Sequence, residues 1–425
     1  MGIKRTLKIA AVAGFPPDPY GEAHYSGQAY SALARQRLDI EVLVCAHRRA
    51  KVPTTERPLP NLLIKRVTNP RNRFLATLSL VELFVTLVRF WPALVHFQGV
   101  HTPRYGGVFG EPVVLLIGAL RLLGIKVVYS AHSIWLRAEL EELWARHRLP
   151  APLSKALSWL YGVHLRTVSR WSSAIHFVVA GPDSPLVDQY EREYFLPRKR
   201  LKREIHPCTG DPTPPEAHCL AKQALGLSGR TVIASVGFIR PDKAYHLLLD
   251  CAAEMREGWN RLAIVIAGMP DGEAGIAYAR DLQARLRSLP DEPPVILRSE
   301  YLQDEELSTL MDASDIVVVP YIQASGPSGP IHHALGRGKA VIATHVGHNI
   351  GLSSVCKLIP PMDARALLLA LRDMLSTPEA LETYRTRSIH YASLNTWDKL
   401  AASYFQEYLC LLEKSHGSTN VFNDA

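Results

Sequence analysis

Two loops carry residues whose types and spacing could hold an anion. Arg240 and Lys243 lie in a loop between a predicted strand and a predicted helix. Ser328 and Gly329 come just before another predicted helix, where free backbone N–H groups face the loop. Two cations and a helix N-terminus suit a phosphate or a diphosphate, because they stabilise its negative charge. The alternative is that the charges are merely solvated and that the turn holds no ligand.

The loop at Ser328 belongs to a strand–helix–strand unit. Residues 315–319 and 340–343 are short apolar runs, typical of parallel strands that are covered on both faces. Pro330 is well placed as the first helical residue between them. Because the loop at Arg240 also follows a strand, we expect both loops at the same edge of one sheet.

Two further candidates lie in the first half of the chain. His132 follows the predicted strand 127–130, and a histidine there can hydrogen-bond a hydroxyl or contact a phosphate. The alternative is that His132 has only a structural role. Gly21 lies in the long turn after the opening strand 7–14, at the carboxyl end of a strand, where open α/β sheets bind ligands.

Strands and helices alternate in two series that must position these residues. The first series opens with the strand 7–14 and closes with the strand 175–179, and the second starts at 231–237. We therefore predict an α/β protein with two doubly wound, Rossmann-like domains in tandem and a ligand cleft between them. The proline-rich stretch 211–216 marks the boundary. The predicted divisions are 1–210, 211–390 and a C-terminal helix with tail at 391–425.

Composition indicates an ordinary globular chain. Of 425 residues, 47% are hydrophobic and 21% are charged, which is enough to bury large cores. The N-terminus shows no secretory signal, and the apolar stretch 75–90 is too short and too charged to span a bilayer. Six scattered cysteines without metal-ligand spacing suit a reducing cytosol. We expect a cytoplasmic protein.

Charge is distributed unevenly along the chain. Residues 1–205 carry 29 Lys and Arg against 15 Asp and Glu, a net charge of +14, whereas the remainder carries −6. The basic half should meet either an anionic membrane surface or a phosphate-bearing acceptor. Nucleic acid is not expected, because the chain shows no nucleic-acid module and no basic tract interleaved with aromatic residues.

Several segments together resemble glycosyltransferase family 4, over nearly the whole chain. The resemblance rests on their order and spacing, and it includes the glycine loop around Gly21. The matching segments are VVYSAHS, VGFIRPDK, AGMP, YLQDEELSTLMDASDIVVVPY, GRGKAVIAT and NTWDKLAASYFQEYL. Members of this family are retaining sugar-nucleotide transferases with the two-domain GT-B fold. The resemblance therefore implies that fold, with the helix near Trp397 crossing back to the first domain.

The resemblance also implies residue roles. Arg240 and Lys243 match the family's diphosphate-binding pair, and His132 matches its histidine that contacts the sugar or the acceptor. Gly21 matches the first-loop glycine. Ser328 and Gly329 resemble a variant in which a Ser-Gly pair at a helix start binds the phosphates through backbone N–H groups.

One departure from the family concerns its pair of glutamates. With Gly338 and Lys339 aligned, Ser325 and His333 stand where the family carries two glutamates with seven residues between them. The second glutamate ordinarily accepts hydrogen bonds from the nucleotide ribose. A neutral His333 could accept one through a ring nitrogen, but Ser325 cannot replace the charge of a carboxylate.

Together with the residues, the resemblance implies a retaining, metal-independent hexosyltransferase that moves a sugar from a nucleotide diphosphate sugar to a hydroxyl. The nucleotide sugar is a co-substrate, and no cofactor is expected. The expected acceptor is a lipid-linked saccharide in envelope or exopolysaccharide assembly, with the enzyme peripheral at the inner face of the membrane. Two alternatives are a soluble small-molecule acceptor and a catalytically inactive GT-B module that binds a nucleotide sugar or a partner transferase.

Overall fold

The chain forms two compact units. The computed structural model describes residues 6–100, 102–146, 148–254, 261–289 and 294–416. Unit 1 comprises Met1–Val178, Leu186–Glu204 and Trp397–Ala425, and unit 2 comprises Val179–Pro185 and Ile205–Thr396. Among the described residues, no helix is both long enough and apolar enough to cross a membrane.

Unit 1 is built on an eight-stranded sheet. The strands are β1 (Leu7–Val12), β2 (Ile40–His47), β3 (Thr55–Leu59), β4 (Leu62–Thr68), β5 (Leu94–Gln98), β6 (Lys126–Ala131), β7 (Ala174–Val179) and β8 (Leu201–Ile205). Their order is β3-β4-β2-β1-β5-β6-β7-β8. The pairings from β4 through β7 are parallel, and β3 runs antiparallel to β4. The inner strands are almost fully buried, as expected for parallel strands covered on both faces.

Helices connect these strands. They are α1 (Gly21–Gln36), α2 (Arg73–Phe90), α3 (Pro112–Leu122), α4 (Arg137–Arg146), α5 (Ala151–Trp171) and α6 (Leu186–Tyr194), with 3-10 turns at Pro103–Tyr105 and Arg198–Arg200. The Asn72 side chain caps α2 by accepting a hydrogen bond from the Leu75 amide.

Unit 2 is a six-stranded parallel sheet. Its strands are β9 (Thr231–Val236), β10 (Leu262–Ala267), β11 (Val295–Arg298), β12 (Ile316–Val319), β13 (Ala340–Thr344) and β14 (Lys357–Ile359). The order is β11-β10-β9-β12-β13-β14. Its helices are α7 (Pro215–Ala224), α8 (His246–Glu254), α9 (Gly272–Leu286), α10 (Asp304–Ala313), α11 (Gly329–Gly336), α12 (Ala364–Leu375) and α13 (Pro378–Leu394), with 3-10 helices at Pro241–Lys243 and Gly347–Leu352.

The last helix, α14 (Trp397–His416), belongs to unit 1. Its apolar residues pack against α1 in the core of that unit, Tyr404 and Tyr408 among them. The predicted return of the C-terminal helix to the first domain is therefore confirmed, as are the two Rossmann-like sheets.

Three strands were missed by the sequence analysis, namely β3, β8 and β14. The strand 175–179 was expected to close the first series, but β8 follows it. The sequence of β8, Leu-Lys-Arg-Glu-Ile, lacks an apolar run, as does that of β3, Thr-Glu-Arg-Pro-Leu. Its Glu204 is nevertheless buried, because it hydrogen-bonds His176 of β7. A charged pair inside the unit thus takes the place of apolar contacts.

Candidate functional site

The two loops predicted to hold an anion meet in unit 2. β9 and β12 are neighbours in its sheet, and the chain leaves β9 towards β10 on one side and returns as β12 on the other. Open α/β sheets bind ligands beyond the carboxyl ends of the strands at such a reversal. The loop 237–243 follows β9, and the loop 320–328 follows β12. The Ile322 amide donates to the Asp242 carbonyl oxygen at 2.9 Å, which joins them.

Lys243 is held at the junction of these loops. Its ammonium lies 3.5 Å from the centre of the Tyr321 ring, a cation–π contact, and 3.9 Å from the Asp242 carboxylate. Burial lowers the pKa of Lys243 to about 8, although Asp242 acts in the opposite direction. The cation is therefore poorly solvated, so an incoming anion would interact with it strongly.

Arg240 is already paired. Its guanidinium makes two hydrogen bonds to Asp242, at 2.9 and 2.8 Å, and a longer one of 3.4 Å to Asp271. An anion must therefore share Arg240 with a carboxylate. Of the two predicted cations, Lys243 has the weaker ionic partner.

The N-terminus of α11 lies beside the same loops. Ser328 occupies the N-cap position in extended conformation, without a capping hydrogen bond from its side chain to the described residues, and Pro330 occupies the first turn. Gly237 approaches this end with φ +134°, and a Cβ there would lie 3.6 Å from the Pro330 ring and 3.4 Å from the Tyr321 hydroxyl. Apart from its chain neighbours and the backbone of α11, no atom of the described residues lies within 4 Å of a Cβ added at Gly329. The Cβ position of Gly329 is therefore open, at a helix start that lies next to the Lys243 loop.

The two adjacent histidines of α11 occupy different surroundings. His332 is fully buried, with Nδ1 2.8 Å from the Ser328 carbonyl oxygen and Nε2 3.1 Å from that of Ala180. Its ring also lies against His206, with centroids 4.3 Å apart. His333 is only half-buried. The packed histidine is thus His332, and His333 is the one with access to solvent.

His348 is a candidate site residue that the sequence analysis did not select. It lies in the 3-10 helix Gly347–Leu352, and its amide donates to the Ala324 carbonyl oxygen at 3.1 Å. Its ring is 2% exposed beside the backbone of half-buried Ser325, yet neither ring nitrogen makes a hydrogen bond of normal geometry within the described residues. Burial, with a smaller effect of His332, lowers the pKa of His348 to about 3. A neutral imidazole therefore lies next to the predicted Ser325 position.

The predicted residue Gly21 opens α1 in unit 1, next to an ionisable group that the sequence analysis did not select. Glu22 follows it, with its carboxylate 3.7 Å from the Arg104 guanidinium. Arg104 stacks on the Tyr20 ring at 3.9 Å. Burial raises the pKa of Glu22 to about 7, against the opposing effect of Arg104. The two side chains are 82 positions apart in sequence, so only the fold brings them together.

Replacing Glu22 by glutamine is expected to stabilise unit 1 at pH 8 by about 1 kcal/mol. The folded pKa lies above the unfolded value, so the stability associated with the protonated group is lost as pH rises through about 7. The gain from a neutral amide should therefore be larger at pH 8 than at pH 5. Hydrogen exchange of α1 at the two pH values measures it. Equal protection of α1 in wild type and variant at pH 8 would contradict the conclusion that burial destabilises the Glu22 carboxylate.

His132, the other predicted residue of unit 1, is buried and fixed by its neighbours. Its Nε2 lies 2.7 Å from the Gln98 side-chain oxygen, and its ring meets the Tyr25 ring edge-on at 4.5 Å. The Gln98 amide nitrogen in turn donates to the Tyr404 hydroxyl of α14 at 3.0 Å. The orientation of His132 is therefore coupled to the last helix through one glutamine.

A buried charged network continues from this point. His176 of β7 lies between two carboxylates, with Nδ1 2.7 Å from Glu204 and Nε2 2.5 Å from Glu407 of α14. Glu204 also accepts hydrogen bonds from Tyr404 and Tyr25. Burial alone would lower the pKa of His176, but the two carboxylates outweigh burial and raise it to about 9. The histidine is thus a buried cation that joins β7, β8 and α14.

Metal ligation has no candidate in the part of the chain that the structure describes. No three His, Cys, Asp or Glu side chains come together there as a metal site. That the transfer reaction needs no metal stays a prediction.

Comparisons with known proteins agree with this architecture. The family described as Glycosyl transferases group 1 matches residues 230–377. The D-inositol 3-phosphate glycosyltransferase of Nocardia farcinica (strain IFM 10152) is 28% identical over 221 residues, which are 48% of this chain and 46% of that protein. The match thus spans about half the length of that relative. The protein of the same name from Mycobacterium sp. (strain KMS) is 26% identical over 350 residues, which are 78% of this chain and 71% of that protein.

Solved structures match over nearly the whole chain. Sucrose-phosphate synthase from Thermosynechococcus elongatus superposes with a TM-score of 0.72 at 17% identity, covering 96% of this chain and 100% of that one. Anabaena Alr3699/HepE in complex with UDP-glucose superposes with a TM-score of 0.66 at 15% identity, and the match covers 94% of this chain and 100% of that one. The chain therefore has the GT-B fold, and residues 230–377 form a domain of the Glycosyl transferases group 1 type.

Proposed function

We propose that the chain is a retaining glycosyltransferase, a variant member of family 4, that moves a hexosyl group from a nucleotide diphosphate sugar to a hydroxyl. The observation that carries the proposal is the placement of the Lys243 ammonium next to the loop that starts α11. Negative charge grows on the diphosphate as the sugar–phosphate bond breaks. A preorganised cation and helix N–H groups stabilise that charge most where it develops.

Five of the predicted residues have a role at the donor in this proposal. Lys243 and Arg240 bind the leaving diphosphate, together with the backbone N–H groups of Ser328 and Gly329. His333 holds the nucleotide ribose. The similarity of the fold to Alr3699/HepE, whose structure contains UDP-glucose, supports a uridine nucleotide as the first donor to test.

Unit 1 would serve the acceptor and the transferred sugar. His132 contacts one of them in this proposal, and Gly21 leaves room for a ligand at the start of α1, since a Cβ there would meet no described atom within 4 Å apart from its chain neighbours and the helix backbone. We favour a lipid-linked saccharide at the cytoplasmic face of an anionic membrane, because residues 1–205 carry the basic excess. A soluble phosphorylated acceptor is the second candidate, supported by the inositol phosphate named for the relatives.

The proposal is tested by a thermal-shift screen of nucleotide diphosphates and UDP-sugars, followed by a transfer assay. A ligand that binds only the native protein raises its melting temperature by mass action. Stabilisation by UDP and UDP-glucose with release of UDP in the presence of an acceptor is expected. Stabilisation without transfer to any lipid-linked or phosphorylated acceptor would favour the inactive binding module. No stabilisation by any nucleotide would contradict the proposal.

The half-buried histidine of α11 provides a second test. His333→Ala is expected to weaken nucleotide diphosphate binding by about 1–3 kcal/mol, the cost of a hydrogen bond lost to a buried hydroxyl. His333 lies one turn from the helix start, and one turn rises about 5.4 Å, which suits the distance from a diphosphate to its ribose.

Calorimetry measures this change, with His390→Ala as the control. His390 is exposed on α13 and lies outside the proposed site. Equal affinity in wild type and His333→Ala would assign His333 a packing role only.

A further inference from the structure

The outer face of α2 exposes a row of large apolar side chains. Phe74, Leu78, Val81 and Val85 are between 39% and 71% exposed. Their spacing of four, three and four residues places them on one side of the helix, over about 16 Å of its length. The opposite side, which includes Leu83 and Leu87, is buried in unit 1. The helix is therefore apolar on the side that the described chain leaves partly open to solvent.

The neighbouring helix extends this apolar surface. α3 contacts α2 and exposes Leu115 and Leu122, which are seven positions apart and 74% and 90% exposed. Trp171, at the end of α5, lies on α3: a Cβ added at Gly118 would be 2.9 Å from its ring. We call the exposed apolar residues of α2 and α3 the α2–α3 face.

Arginines surround the α2–α3 face. Arg71, Arg73 and Arg89 are exposed at the two ends of α2, and Arg121 and Arg170 are exposed where α3 meets α5. The sequences of α3 and α5 contain no acidic residue. The one acidic residue of α2 is Glu82, which pairs with Arg48 at 2.6 Å. The face therefore combines apolar side chains with an excess of positive charge.

We propose that the α2–α3 face docks on an anionic lipid bilayer. Helices that lie in a membrane interface bury an apolar side at the boundary of headgroups and acyl chains, and place basic residues at the phosphates. A neutral apolar partner would leave the arginines without counterions, whereas anionic lipids match both features. The docking does not depend on glycosyl transfer, and it would bring unit 1 to a lipid-linked acceptor.

Sedimentation with vesicles of phosphatidylcholine alone, or with added phosphatidylglycerol, tests the proposal. The full chain is expected to bind the phosphatidylglycerol vesicles at least tenfold more strongly, with binding that weakens as salt rises. The double variant Leu78→Glu, Val81→Glu should lose at least tenfold of this binding. Arg73→Gln with Arg89→Gln should lower binding and its dependence on salt.

Leu220→Glu is the matched control, because Leu220 is a 57% exposed leucine on α7 in unit 2. It should bind vesicles within twofold of wild type. The proposal would be overturned if Leu220→Glu lost as much vesicle binding as the Leu78→Glu, Val81→Glu variant. It would also be overturned if the wild-type protein bound both kinds of vesicle equally well. A dimer in light scattering that only the Leu78→Glu, Val81→Glu variant dissociates, without vesicle binding, would make the face a protein interface. UDP-induced thermal shifts of the variants report the donor site separately, so failure of the proposed function is distinguishable.

Discussion

Replacing Lys243 by alanine is expected to lower kcat/KM for transfer from a nucleotide diphosphate sugar by about two to three orders of magnitude. Removal of a single preorganised partner of a developing negative charge costs about that much in other enzymes. The ammonium is mostly buried beside Tyr321 and Asp242, so no solvent cation replaces it readily. Initial rates of UDP release at subsaturating donor measure the loss.

A matched control is Lys357→Ala, since Lys357 also belongs to unit 2 but pairs with Asp373 at 2.8 Å on the surface. It should leave kcat/KM within a factor of two. Arg240→Ala should also lower transfer strongly, but less than Lys243→Ala, because Asp242 already shares the guanidinium. Rates within twofold of wild type for both site variants would remove the two cations from the mechanism.

The pKa of Lys243 gives this prediction a pH dependence. Burial places it at about 8, so the ammonium that an anion needs is lost as pH rises through that value. Affinity for a nucleotide diphosphate should therefore fall between pH 7 and pH 9 in wild type. The same fall should be smaller in Lys243→Met, which has a similar shape and no charge. Parallel pH profiles for the two proteins would assign the dependence to other groups.

The sequence predicted the elements of unit 2 well because their signals are local. β10 and β12 are uninterrupted apolar runs, and the predicted strands 231–237, 315–319 and 340–343 match β9, β12 and β13 to within one residue at each end. The loops that follow parallel neighbours must meet at one sheet edge, so Arg240, Lys243 and Ser328 could be assigned to a single site from their positions alone.

The features that were missed depend on contacts between distant residues. Glu22 becomes a perturbed carboxylate through burial next to Arg104, and their approach requires β1 and β5 to be neighbours. His348 lies in a short 3-10 helix without an apolar period, and it is buried because the chain folds back on Ala324. Neither pairing leaves a pattern in the local sequence.

The buried network around His176 shows that residues important for stability can also leave no pattern in the local sequence. A histidine on β7, a glutamate on the charged strand β8 and a glutamate on α14 come together, although 231 positions separate His176 from Glu407. In the sequence, each of these three residues alone looks like an ordinary polar residue of the surface. Buried ion pairs hold only when all partners are present, because a lone buried charge is strongly unfavourable.

His176→Ala is therefore expected to destabilise the attachment of α14 in unit 1 by about 3–5 kcal/mol, since Glu204 and Glu407 would lose the cation between them, while Glu407 would keep its ion pair with Lys202. Hydrogen exchange of β7 and α14 in the full chain measures this loss, and exposed His390→Ala is the control. In wild type the folded pKa of His176 is raised to about 9, so its contribution is complete below the unfolded value near 6.5 and is lost as pH rises through 9. Protection of α14 should fall accordingly between pH 7 and pH 10, and less so in His176→Ala. If both proteins protected α14 equally at pH 7, the helix would be held by apolar packing alone.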